Sequence, residues 1–316
     1  MYKKNVITIL MGLLVLQAAL IAFVYRPGQD QAPPSVALMA AVDVQAITSM
    51  KITDENGHSV IIQKQGTDWI VGKDKFPADK TSLEEIFKRI AGLESARLVS
   101  RTKSSHNRLK VGEALFNRKV VLGSDKGDFT FFMGTAPSSK SVHLRVSGQN
   151  EVYQVSGIAA WELQADAESW WQPNYVQLDP ESIQAITITN TNGTFSLQRN
   201  DGRKWRFETD ISGELDQDKV AALLDTVAKI PVAAYLPKDF SIETSPVCTI
   251  QYQVDGKSIS LQIWPKSDQD DHVAKLSDAA FYVKIRNYVI KEALGTTIHV
   301  LLTEEDHDQD GGKTIP

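Results

Sequence analysis

Residues able to do chemistry are sparse in this 316-residue chain, and their spacing limits what they can do. The six histidines, His58, His106, His143, His272, His299 and His307, lie far apart, and none belongs to a His-Glu-x-x-His pair that would hold zinc on one helix face. Each is expected to be an exposed strand or loop residue. No Gly-x-Ser-x-Gly elbow presents a serine nucleophile. No Gly-x-x-x-x-Gly-Lys-Ser/Thr loop cradles phosphates, so nucleotide-driven work would need a partner chain. The lone Cys248 excludes an intramolecular disulfide and a cysteine-rich metal site. The reading is of a non-catalytic chain without cofactor or metal.

Three charged or aromatic groups remain as candidates. Asp306, Asp308, Asp310 and Gly311 copy the opening of a calcium loop, but the bidentate glutamate would fall one place past Pro316, so a solvated acidic tail is expected. Asp268, Asp270 and Asp271 read likewise as an acidic hairpin loop. Between residues 97 and 119, Arg97, Arg101, Lys103, Arg108, Lys110, Arg118 and Lys119 face only Glu113. Such a segment could hold anionic lipid headgroups, a polyanionic glycan or an acidic partner, or be a solvated basic connection. Trp161, Trp170 and Trp171 are candidate domain-junction aromatics, with carbohydrate stacking as the alternative. A net charge of −5 gives no general footprint for nucleic acid.

The elements that must position these groups begin with an apolar run. Val6 to Tyr25 has only Gln17 strongly polar and is long enough to cross ~30 Å of hydrocarbon as a helix. Lys3 and Lys4 before it favour a cytoplasmic N-terminus over residues 1–5, although Arg26 follows. A cleaved signal peptide is the rival reading, but no small-x-small site closes the run. Residues 26–41, rich in proline at first, read as a linker.

Beyond it the chain repeats itself. Ile47–Trp69 and Ile183–Trp205 align without gaps at seven identities in 23 positions, including Asn56/Asn192, Gly57/Gly193 and Trp69/Trp205. Asn-Gly suggests a two-residue hairpin turn with both residues at positive φ. Leu83, Ile86, Phe87, Ile90 and Leu93 then mark one helix face, and Val220, Leu223, Leu224, Val227 and Ile230 repeat that spacing. Thr81 with Glu84 resembles a capping box for the first helix, and Asp216 or Asp218 can cap the second. Strand pairs follow in both copies, at 119–134 and 248–265, then further strands and a short helical stretch. The pattern predicts an α+β fold, in which two duplicated domains at 42–172 and 173–302 each pack an antiparallel sheet against an amphipathic helix, with a disordered acidic tail at 303–316. Trp69 and Trp205 occupy matching core positions.

The stretches "ITSMKITDENGHSVIIQKQGTDWIV", "FPADKTSLEEIFKRIAGL" and "FFMGTAPSSKSVHLRVSGQNEVYQVSG", with the N-terminal span, resemble the bacterial domain-of-unknown-function family numbered 4340. The resemblance implies no catalytic residues. It implies a membrane-anchored accessory component of an ABC-type export system, beside gliding-motility-like permease and ATPase subunits. The expected location is the cytoplasmic membrane as a single-pass signal-anchor protein, with most of the chain periplasmic or extracellular. The alternative expectation is an extracytoplasmic module binding a glycan or lipid headgroup.

Overall fold

The computed structural model describes residues 11–18, 20–21, 37–200, 204–209, 213–265 and 271–303. Residues 11–18, 20 and 21 are helical and exposed, and the rest of the expected span from Val6 to Tyr25 lies outside the described residues. Among the described residues, no helix is long and apolar enough to cross a membrane. Of the expected tail, only Thr303 is described.

Antiparallel sheet dominates the remainder. In the first repeat the strands are β1 (Ile47–Asp54), β2 (Ser59–Gln65), β3 (Asp68–Val71), β4 (Phe76–Pro77), β5 (Ser95–Ser100), β6 (Arg118–Ser124), β7 (Gly127–Met133), β8 (Ser141–Val146) and β9 (Val152–Ser156). They are ordered β4-β3-β2-β1-β6-β7-β8-β9-β5, and helix α1 (Lys80–Ala91) lies between β4 and β5 in sequence. After the short β10 (Asn174–Gln177) come β11 (Ile183–Asn190), β12 (Gly193–Arg199), β13 (Trp205–Phe207), helix α2 (Gln217–Ala228), β14 (Lys229–Pro231) and β15 (Ala234–Tyr235). The chain continues through β16 (Cys248–Val254), β17 (Lys257–Pro265), β18 (Asp271–Leu276), β19 (Val283–Arg286) and helix α3 (Asn287–Gly295). The second large sheet runs β13-β12-β11-β16-β17-β18-β19-β15, which is the order of β3-β2-β1-β6-β7-β8-β9-β5, while β10 and β14 form a separate pair. The sequence repeat is thus also a repeat of topology.

The contacts divide the chain into two compact units, Met1–Val60 with Glu84–Ala165 and Ile61–Leu83 with Asp166–Pro316. The predicted helix faces are buried: Leu83, Ile86, Phe87 and Ile90 on α1, and Val220, Leu223, Leu224 and Val227 on α2. Trp69 and Trp205 are core residues as their matching positions imply. Tyr252 on β16 is fully buried and donates its hydroxyl to the Val227 carbonyl at 2.9 Å, satisfying a group at the end of α2 that the helix cannot pair itself. Asn190 on β11 does the same for α3, donating to the carbonyls of Ala293 and Thr296 at 3.0 and 2.9 Å.

Local chemistry differs from expectation in three places. Asn56 and Asn192 do not take positive φ; only Gly57 and Gly193 do, at 88° and 130°. Asp54 holds the first turn by accepting from the backbone N–H of Asn56 and His58, each at 2.9 Å, so a glycine bulge replaces the two-residue Asn-Gly turn. The turn with two left-handed residues is Asp255-Gly256, where Val254 pairs with Lys257. The N-cap of α1 is Asp79 rather than Thr81, because its carboxylate accepts from the backbone of Thr81 and Ser82 at 3.1 and 3.2 Å. Asp216 caps α2 as expected.

The expectation of exposed histidines fails at His106 and His143, which are buried, and His272 on β18 is half-buried. Every residue of β8 is buried, including Ser141, His143 and Arg145 on the face that alternation would give to solvent. Residues 101–117 cover that face. Leu109 and Val111 join Phe132 and Val152 in a buried cluster with Val99 and Phe116 packed against it. His106 belongs to that cover and is itself buried, with Nε2 2.9 Å from the Asn150 carbonyl. Gly134 marks the closest approach, since a Cβ there would stand 2.0 Å from the Leu109 carbonyl oxygen and 2.8 Å from that of Lys110. In the second unit the stretch after β15 serves similarly: Leu236, Trp264 and Val273 cluster with Phe240 and Ile242, and Trp264 donates to the Thr244 carbonyl at 2.8 Å.

Candidate functional site

A large cavity lies among the described residues of the second unit. It encloses about 950 Å³ and opens beside a second chamber of about 340 Å³ with which it shares Pro77, Gln172, Asn174, Gln177, Ala280 and Phe281. Its walls come from the β3–β4 hairpin, the first turn of α1, the strand β10 and the loop between β18 and β19. A backbone feature shapes the mouth: Lys75 has φ 59°, a left-handed conformation that glycine, not lysine, normally takes.

Most polar groups deep in this cleft are engaged by the fold. Asp79 caps α1, and its own N–H donates to the Trp170 carbonyl at 2.9 Å. The Tyr175 hydroxyl donates to the Phe281 carbonyl at 2.6 Å and accepts from the Leu276 N–H at 2.9 Å. Burial pushes that phenol up to about 12, so it stays protonated. Tyr235 is raised by burial too, with its hydroxyl 3.4 Å from the Gln172 carbonyl. Asp68, Asp74, Lys75 and Lys238 are exposed at the mouth. The arrangement offers hydrogen-bonding backbone and apolar surface with charges of both signs at its rim.

Behind the cleft, Phe76, Trp171, Tyr235 and Phe281 form an aromatic group. Phe76 stacks on Tyr235 at 5.2 Å between centroids and meets Phe281 and Trp171 edge-on at 5.0 and 5.6 Å. Of the three tryptophans expected at a domain junction, Trp171 is half-buried in this group, and Trp170, next in sequence, is buried. The Trp171 indole N–H has no hydrogen-bond acceptor among the described residues. Trp161 is elsewhere, in the first unit, and 69% exposed. It sits on a turn fixed by Glu162, which accepts from the Ala159 N–H at 2.7 Å and pairs with Arg89 at 2.7 Å.

The basic segment splits into two groups. Arg97, Arg101, Lys103 and Arg108 are exposed. Lys110 pairs with Glu55 at 2.8 Å, Arg118 donates to the carbonyls of Leu163 and Asn117 at 2.7 Å each, and Lys119 lies 5.6 Å from the centre of the Phe132 ring. The structure brings none of the seven into the cleft. Asp268, Asp270, Asp306, Asp308 and Asp310 lie outside the described residues, and Asp271 pairs with Arg286 at 3.6 Å. Among the described residues, no group of three or more metal-ligating side chains assembles.

The profile of a family described as a domain of unknown function, DUF4340, matches residues 69–246, more than half of the chain. The chain belongs to the DUF4340 family. That match begins at Trp69 and takes in the whole of β4, α1 and β10 and most of β3, so the DUF4340 region holds most of the cleft wall. No curated protein and no solved structure matches the chain.

The sequence reading missed the cleft because its lining has no catalytic signature. Two signals were present. Pro77 and Pro173 both lack the N–H needed to continue a ladder, and both line the cavity.

Proposed function

We propose that this chain is a membrane-anchored extracytoplasmic accessory subunit of an ABC-type export complex, working by docking rather than catalysis. Residues 6–25 form its single span, residues 1–5 stay in the cytoplasm, and the duplicated α+β domains, 42–172 and 173–302, stand outside. The observation that supports this reading is the exposure of Met11, Leu13, Leu14, Val15, Leu16, Leu20 and Ile21, each more than half accessible on helical residues of an apolar run. Leaving such side chains in water forfeits about 1.5–3 kcal/mol each relative to burial, and a bilayer supplies the missing apolar surroundings. The engagement of Asp79 and Tyr175 by the fold also favours docking over acid–base chemistry in the cleft.

The test is isolation of the tagged full chain from membranes in mild detergent. Permease and ATPase chains should copurify in fixed proportion. Recovery of the protein alone at high yield, or from the soluble fraction, would sink the reading.

A second reading rests on the exposure of Arg97, Arg101, Lys103 and Arg108, which suits an anionic glycan or lipid headgroup. It requires that charge reversal at Arg101, Lys103 and Arg108 abolish retention on anionic vesicles.

A further inference from the structure

One wall of the cleft is a strand edge, on which the Asn174 carbonyl accepts from Gln172 Nε2 at 3.2 Å and, among the described residues, Gln177 finds no backbone partner. Pro77–Asp79 runs antiparallel to Trp170–Gln172: Gln172 donates to the Pro77 carbonyl, Asp79 donates to the Trp170 carbonyl, both at 2.9 Å, and Ala78 bridges Trp171. The ladder ends at this pair, since Pro77 has no N–H to return to the Gln172 carbonyl, which lies 3.4 Å from the Tyr235 hydroxyl instead. The chain then changes partner. Val232 donates to the Pro173 carbonyl at 2.8 Å, and among the described residues β10 pairs with β14 alone.

The alternation of antiparallel hydrogen bonds fixes which groups are left over. Leu178 donates to the Ala228 carbonyl at 2.9 Å, and Gln177 stands opposite Lys229. Gln177 is therefore the residue whose N–H and C=O point away from β14. Side chains alternate along a strand, yet five successive residues, Asn174 to Leu178, line the smaller chamber. Only the edge of the backbone presents a row of that kind to one space. Ile259, Leu276 and Phe281 also line the chamber, the last two tied to β10 through the Tyr175 hydroxyl.

We infer that β10 is a docking edge that accepts an extended polypeptide segment from a partner as an added strand. Main-chain N–H and C=O groups meet the free edge of β10, and alternate apolar side chains of the segment meet Ile259, Leu276 and Phe281. The rim carries Asp68 and Asp74 as well as Lys75 and Lys238, so it selects no one sign of charge. Backbone and apolar side chains are what the site recognises. This deepens the docking reading above by naming the partner's chemistry. It is measured on the isolated chain, so copurification can fail while this stands, and the reverse.

The probe is a fluorescein-labelled peptide, Lys-Thr-Val-Thr-Val-Thr-Val-Glu, titrated by polarisation against the full chain in detergent. Saturable binding is expected, and the same peptide with alternate amides N-methylated should lose it. Gln177→Pro removes one outward N–H without touching the ladder to β14 and should weaken binding at least about fivefold, whereas Gln177→Ala should leave it unchanged. Ala280→Trp, at an exposed residue of the lining, should block the chamber without altering any backbone donor of β10. Circular dichroism melts confirm that each variant is folded. Absence of binding at millimolar peptide, or wild-type affinity in folded Gln177→Pro and Ala280→Trp, overturns the inference.

Discussion

Arg145 should hold the cover segment of the first unit in place, and the magnitude of that role follows from its contacts. Its side chain is 3% exposed. Nε donates to the Val111 carbonyl at 2.6 Å, Nη1 to the Gln149 carbonyl at 3.2 Å and Nη2 to Glu113 Oε1 at 2.9 Å, while its carbon lies 4.5 Å from the centre of the Phe132 ring. Replacement by methionine keeps much of the packing and strands two carbonyls. Each lost hydrogen bond to a charged donor is worth about 1.5–3 kcal/mol, and relief of the guanidinium's own desolvation returns part of that. A net loss of about 3 kcal/mol is expected for Arg145→Met, near the lower bound for breaking a buried charged contact. The Glu113 partner is different: its side chain is 61% exposed, so Glu113→Gln should cost under about 1 kcal/mol. Hydrogen exchange at the Leu109 and Val111 amides separates the two effects. Three kilocalories correspond to roughly a hundredfold faster exchange in Arg145→Met, at about 1.4 kcal/mol per tenfold. An increase below about fivefold, or an equal increase in Glu113→Gln, would refute the assignment of the anchor to the arginine's carbonyl contacts.

Two further outcomes follow. His143 is lowered from its ordinary value of 6.5, first by burial and second by the charge of Arg108, and Nδ1 lies 2.8 Å from Thr135 Oγ1. Because the folded state resists the proton more than the unfolded state does, this group's contribution is complete above pH 6.5 and is lost as pH falls below it. Urea midpoints between about pH 7.5 and 5 should decline in the wild type and decline less in His143→Gln; identical slopes would remove the claim. Cys248 is buried on β16, with its thiol pushed up to about 12 by burial, so alkylation at pH 8 should proceed only as fast as β16 opens. Stoichiometric labelling of the native protein within minutes would contradict this.

Much of the architecture was legible because it is local. Apolar spacing at Leu83–Leu93 and Val220–Ile230 found both helices, and the matching tryptophans marked equivalent core sites. What failed was anything decided by a distant segment. Alternation along β8 assigns His143 and Arg145 to solvent, and only the cover formed by residues 101–117 reverses that. The sequence carries a signal for that cover in Leu109, Val111 and Phe116, three apolar residues set among the basic ones. The cap of α1 was misplaced by two residues because Thr81 and Glu84 fit a familiar spacing, whereas Asp79 simply stands nearer the first free N–H groups. The cleft was illegible for a deeper reason. Its distinguishing groups are main-chain atoms, which every residue carries and no sequence pattern displays.

The placement of Ile61–Leu83 has a practical consequence for anyone who dissects this molecule. A fragment ending at Gln172, where the sequence repeat ends, would keep Phe76 but remove Tyr235 and Phe281, two of the three rings it packs against. Such a piece should display that ring on its surface and be sticky and protease-sensitive there. Here the repeated stretch of sequence is not the piece that packs as one body. The family match, which opens at Trp69 and runs on to residue 246, crosses the seam where such a cut would fall.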